Sequence, residues 1–178
     1  DLDAVVLRLT NVYGPRMAMD VPCQGFLSTY IRRTVTGGRL QVFGDGRQLR
    51  DPVYVDDVVD ALLLAGGESR LASREYNVGG PQALPLSEIA AICTLAGGMA
   101  PPEQREFPPE RKQIDIGSYY TDSGRIEREL GWTPKVRFAD GMAQTVAYYR
   151  EHMGHYLKPG EPNPECKLGP GTYRLMPA

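Results

Sequence analysis

Short apolar runs alternate with longer amphipathic stretches along this chain, and each period predicts an element. Ala4-Val5-Val6-Leu7 leads a nearly continuous apolar run over 4–9, the mark of a strand buried on both faces. It delivers Asn11 and Tyr13 to its C-terminal end, and Gly14-Pro15 then turns the chain. A helix is predicted from Gln24 to Thr36, closed by Gly37-Gly38. Leu40 to Phe43 reads as a short strand, ended by the turn Gly44-Asp45-Gly46. Pro52 to Val55 is extended. Asp56 or Asp57 then caps a helix to Ala65, stopped by Gly66-Gly67.

Glu75 to Val78 is a further strand, and Ser87 with Glu88-Ile89 opens a helix to Ala96 that Gly97-Gly98 ends. Pro101, Pro102, Pro108 and Pro109 mark loop or edge strand. Asp122 or Ser123 caps a helix to Leu130, stopped by Gly131, and Phe138 to His152 forms a last amphipathic helix. From Met153 the chain is rich in Pro and Gly and reads as an irregular tail. There is no internal repeat.

Strands alternating with helices imply an α/β class. A buried parallel strand at 4–9 needs neighbours on both sides. The remaining short strands do not supply them all, so a missing N-terminal half, or another chain, is expected to cover it. The first residue is Asp1, not Met, so the native start is expected upstream and targeting is not legible.

Composition narrows the picture. A chain of 178 residues holds one domain or slightly more. Apolar content of 42% and charged content of 24% are those of a globular protein. A net charge of −2 gives no strong field for nucleic acid or a membrane surface, so neither partner is expected. No apolar run approaches the roughly 18 residues that span a bilayer. Cys23, Cys93 and Cys166 are odd in number and widely spaced, without a CxxC. They read as free thiols of a reducing cytoplasm, with no metal site, and Cys93 falls in a helical core pattern.

Four groups could carry chemistry. Asn11 at a strand end can donate to and accept from a sugar or phosphate, and equally can close the turn before Gly14. The Gly-rich turn at 44–46 leads to Arg50, whose guanidinium can fork onto a phosphate or pair with a carboxylate in a surface hairpin. Asp56-Asp57 could do acid–base work, but at a helix start they read as caps. Glu110-Arg111-Lys112 with Asp115 could meet a diphosphate or be a solvated charge run. His152 and His155 read as helix-end residues rather than a metal pair. Tyr119-Tyr120 and Tyr148-Tyr149 read as packing, since no basic stripe accompanies them.

Taken together, four stretches resemble the NAD-dependent epimerase/dehydratase family, the extended short-chain dehydrogenases that act on nucleotide sugars. They are RLTNVYGPR at 8–16, LQVFGDGRQLRDPVYVDDV at 40–58, EYNVGG at 75–80 and IDIGSYYTDSGRIERELGWTPKV at 114–136. The resemblance runs from Ala4 to Tyr156. It implies the C-terminal part of a Rossmann-type fold with its small mixed α/β substrate-binding domain. Segments 1–16 and 51–80 would return to the Rossmann sheet, 17–50 and 81–152 would bind substrate, and 153–178 would be tail.

By the same resemblance, the substrate is a nucleotide diphosphate sugar. Asn11 would contact its phosphate region, Gln41 and Phe43 the base, Arg50 the diphosphate, Arg111 or Lys112 a second phosphate site, and Asp115 the ribose. Thr10 and Tyr13 would lie at the edge of the cofactor site. Pro52 departs from the aromatic residue that commonly follows Arg-Asp.

The family also needs a Gly-rich fingerprint for the pyrophosphate of NAD or NADP, and a Tyr four residues before a Lys as proton acceptor. Neither pattern occurs in this sequence. The chain alone is therefore expected to bind no cofactor and to be inactive. The alternative is a stand-alone nucleotide-sugar binding module, and the upstream reading frame separates the two.

Overall fold

A computed structural model describes residues 4–19, 25–68, 70–113 and 115–157. The expected Cys23, Gln24 and Cys166, and most of the expected tail, lie outside the described residues. So does the side chain of Arg111.

Among the described residues, the pattern of short strands and amphipathic helices produces four strand pairs and four long helices. Strand β1 (Val6–Leu9) lies parallel to β6 (Glu75–Val78), with Leu7 opposite Tyr76 and Arg8 opposite Asn77. Strand β2 (Val12–Tyr13) lies parallel to β5 (Val53–Tyr54). Strand β3 (Gln41–Phe43) lies parallel to β8 (Glu103–Arg105), so the proline-flanked stretch supplies an edge strand. Strand β4 (Leu49–Arg50) runs antiparallel to β7 (Leu84–Pro85).

Helix α1 (Phe26–Thr36) ends where Gly37 adopts a left-handed conformation, as its sequence predicts. Helix α3 (Leu86–Gly97) and α6 (Phe138–Tyr156) pack with α1 around Ile31, Ile89, Met142 and Tyr149. Cys93 is buried there, and burial pushes its thiol up to about 12. A second core joins α2 (Val55–Gly67) and α5 (Gly124–Leu130) to β6 through Val58, Ala61, Tyr76, Ile126 and Trp132. Thus α5, within the stretch expected to bind substrate, packs against a strand expected to return to the Rossmann sheet.

Several expectations change. The last helix continues to Tyr156, because Tyr149 and Tyr156 pack edge to face at 5.0 Å and hold its final turn. Neither Asp56 nor Asp57 caps α2, whose first turn has no side-chain cap. Instead the buried Asp57 carboxylate accepts the backbone N–H groups of Lys135 and Val136, both at 3.0 Å. Its carbonyl accepts the Trp132 indole N–H at 2.9 Å. Asp57 therefore ties the 132–136 loop to α2. Ser87 does not cap α3, which starts one residue earlier behind Pro85. Asp122 does accept the Gly124 N–H at the start of α5. Tyr149 is buried as expected, but Tyr119 and Tyr120 are exposed, on a segment whose backbone rather than its rings is anchored.

Strand β1 has one paired edge among the described residues, and Val6 and Leu9 are exposed. Beside it α2 turns Val59, Leu62, Leu63 and Leu64 outward, with Leu63 69% exposed. That is an unusual apolar face for a helix whose other side is already packed. No described helix is long and apolar enough to cross a membrane.

Candidate substrate site

The site is built where β4 meets the segment 115–121. Three successive β4-side residues each take hold of that segment. Gln48 Nε2 donates to Asp115 Oδ2 at 3.4 Å. The Leu49 N–H donates to Ser118 Oγ at 3.1 Å, and its carbonyl accepts the Tyr119 N–H at 2.9 Å. Arg50 Nη1 donates to the Gly117 carbonyl at 2.6 Å and to its own neighbour's carbonyl, Leu49, at 2.7 Å. Gly117 has φ +66°, a conformation that suits glycine and lets its carbonyl turn toward Arg50.

Arg50 is only 8% exposed. Among the described residues no carboxylate forms an ion pair with it, so the surface-hairpin reading fails. Two carbonyl dipoles hold Nη1, and Nε and Nη2 keep their donors. The neighbouring Asp51 carboxylate feels its charge without reaching it as an ion pair, so a buried guanidinium held only by carbonyls is stabilised further by an anion that contacts it directly.

One residue on, Asp51 joins this lobe to the first strands. Its carbonyl accepts Thr10 Oγ1 at 2.8 Å and the Gly80 N–H at 3.1 Å. Its carboxylate accepts the Thr121 N–H at 2.9 Å, while Oδ1 is buried without a partner. A Cβ on Gly80 would overlap the Pro52 carbonyl, so only glycine lets the YNVGG turn come this close. Asn11 sits beside the junction: its carbonyl accepts the Val53 N–H at 3.0 Å, and its amide has no hydrogen-bond partner among the described residues.

The remaining expected residues fall around the same lobe. Gln41 is half-buried, and its carbonyl accepts the Tyr30 hydroxyl at 2.9 Å. The Phe43 ring faces Phe107 at 5.9 Å. Lys112 ends the short helix α4 (Pro109–Lys112), and its carbonyl accepts the Asp115 N–H at 3.4 Å. Asp115 is exposed, and its Oδ1 accepts the Gly117 N–H at 3.3 Å. Arg111 is in the same helix.

Thr10 and Tyr13 both make structural contacts, and Tyr13 also lines a cleft beyond the end of β2. The Thr10 hydroxyl donates to the Asp51 carbonyl. Tyr13 is 1% exposed, its ring packs on Tyr54 and Phe138, and burial raises its hydroxyl. Phe107, Gln48 and Gly117 are contributors that sequence reasoning missed. Phe107 carried a signal, an aromatic residue in a proline-rich edge, but its pairing with Phe43 depends on the β3–β8 contact.

A separate cleft of about 750 Å³ opens past the end of β2, lined among others by Arg16, Val55, Asp56, Val59 and Tyr148. Open α/β sheets bind ligands beyond such strand ends. It adjoins the exposed face of α2 through Val59.

Comparison with known proteins agrees with this architecture. The sequence model of the NAD dependent epimerase/dehydratase family matches residues 1–79. The UDP-glucose 4-epimerase of Mycolicibacterium smegmatis is 36% identical over 150 residues, which are 84% of this chain and 46% of that protein. This chain belongs to the NAD-dependent epimerase/dehydratase family.

Two solved structures of family members align closely. UDP-glucose 4-epimerase of Thermotoga maritima, solved with UDP-glucose, has a TM-score of 0.69 at 31% identity, over 84% of this chain and 46% of its own. The dTDP-glucose 4,6-dehydratase of Streptomyces venezuelae, solved with NAD bound, has a TM-score of 0.70 at 31% identity, over 87% of this chain and 46% of its own. The fold is thus that of Rossmann-type extended short-chain dehydrogenases, and the chain spans about half the length of the relatives it matches.

Proposed function

We propose that this chain is the substrate-binding portion of an NAD(P)-dependent epimerase or dehydratase acting on a nucleotide diphosphate sugar. The observation that carries the reading is Arg50, a buried guanidinium with no carboxylate partner among the described residues, latched to the segment that bears Asp115. A diphosphate supplies the missing counter-charge, and charge-assisted bonds to Nε and Nη2 fix it. Asn11 offers a free amide for the same phosphates, Lys112 or Arg111 a second cation, Asp115 an acceptor for ribose hydroxyls, and Gln41 with Phe43 a wall for the base. The relatives' names support this ligand class, since they act on UDP- and dTDP-sugars.

By themselves the described residues offer only the edge of a dinucleotide site, where Tyr13 lines the cleft beyond β2. The sequence has no Gly-rich phosphate loop. In this reading the cofactor and the Tyr-Lys base belong to an N-terminal half. That half covers the open edge of β1 and the outward leucines of α2, and closes the cleft beside them. The chain alone is then inactive.

Calorimetry of the full-length protein against a panel of UDP- and dTDP-sugars tests the reading. Saturable binding of at least one, with no binding of the free sugar, is expected. A full-length protein that binds none of them would overturn it.

A further inference from the structure

We propose that Gln48 is a positioning residue for the nucleotide site, acting through Asp115. The inference deepens the nucleotide-sugar reading and rests on it. Gln48 is half-buried, and its main chain is already fixed, because its carbonyl accepts the Leu86 N–H at 3.0 Å. Its side-chain oxygen Oε1 is buried and has no hydrogen-bond partner. A buried carbonyl without a donor is unfavourable, and an apolar residue of similar length would fill the place without that cost. What the amide provides, and Leu or Met would not, is its N–H₂. That group reaches one acceptor, Asp115 Oδ2.

The Asp115 carboxylate is thereby held from two sides, Oδ1 by the Gly117 N–H and Oδ2 by Gln48. Gly117 is itself latched by Arg50. Gln48 and Arg50, two apart on the same strand edge, therefore set one wall of the site together: Arg50 fixes the height of the segment and Gln48 the direction of its carboxylate. A carboxylate aimed in advance accepts a ligand hydroxyl without first being ordered, which conserves affinity.

The test is a double-mutant cycle in the full-length protein, with UDP and dTDP titrated in parallel by calorimetry. Gln48→Ala is expected to raise the Kd of the tighter nucleotide about fivefold to tenfold. In an Asp115→Ala background the same change should raise it less than about twofold. Gln48→Glu puts a carboxylate against a carboxylate, so its Kd relative to wild type should be worst at pH 8 and recover toward pH 5, as one of the two takes a proton. A purely structural role would give equal losses in both backgrounds and no pH-dependent ratio. Either result would overturn the proposal while leaving the nucleotide reading intact, provided Asp115→Ala itself weakens binding. Absence of UDP and dTDP binding by the wild type would remove both.

Discussion

The hydroxyl of Thr10 donates to the carbonyl of Asp51 at 2.8 Å, so the end of the first strand is fastened to the residue that follows Arg50. The two lie 41 positions apart in sequence. Through this bond, and through the Gly80 N–H on the same carbonyl, the first strands, the Arg50 edge and the YNVGG turn meet at one residue. The position of Arg50 relative to Asn11 follows from that junction.

Asp51 makes the junction sensitive to pH. Burial raises its carboxyl above the usual carboxylate range, against the lowering pull of the Thr121 N–H and of Arg50. A carboxyl raised in the folded state favours folding in its protonated form. That contribution is full below the unfolded value of about 4 and fades as pH rises through the folded value. Asp51→Asn removes the titration. In urea unfolding of the full-length protein, wild type should gain stability relative to Asp51→Asn as pH falls from 7 toward the unfolded value of about 4. A flat or reversed difference would show that Asp51 is stabilised as the anion.

Arg50→Ala should raise the KM for the nucleotide sugar about 10- to 100-fold, each factor of ten being about 1.4 kcal/mol. NAD affinity should change little, since the two ligands meet different parts of the protein. Arg50→Lys keeps a charge but cannot hold the Gly117 carbonyl and a phosphate together, so it should recover only part of the loss. Steady-state kinetics with paired cofactor titrations read both outcomes. An unchanged KM in Arg50→Ala would place the diphosphate elsewhere.

Asp57 is a structural tie, and its removal should be costly. Asp57→Ala leaves the N–H groups of Lys135 and Val136 without an acceptor, for a loss of about 3 kcal/mol. Asp57→Asn keeps one carbonyl oxygen and should lose about half as much. Chemical denaturation measures the pair. Were capping of α2 its role, both variants would cost only about 1 kcal/mol.

The outward leucines of α2 test the missing-half reading. A Leu exposed to 69% contributes little to a folded surface, so Leu63→Ser on an open face should change stability by less than about 0.5 kcal/mol. Covered by an N-terminal half, the same substitution should cost about 2 kcal/mol or more. Denaturation of the full-length protein decides between the two values.

Elements that depend on local pattern were legible in the sequence. The 3.6-residue period predicted helices over 24–36, 87–96 and 138–152, found at 26–36, 86–97 and 138–156, and the glycines at 37, 98 and 131 ended theirs in the left-handed conformation. The run before Asn11 predicted a strand, and the four family-like stretches pointed to the residues around the site. Each of these signals lies within a few consecutive residues, where propensity and amphipathic spacing act.

Tertiary structure alone decided the rest. Strands of two residues, such as Val12–Tyr13 and Leu49–Arg50, have no period to read, and they exist only because a distant segment pairs with them. A hydrogen-bonding group shows its type in the sequence but not its partner. Asp57 could cap its own helix or hold a loop nearly eighty residues away, and Thr10 could face a cofactor or Asp51. Tyr119 could pack or stand exposed, and Arg50 could pair with an acid or lie buried on two carbonyls. The choice in each case was made by long-range packing, which fixes the nearest acceptor and the amount of water left to compete with it.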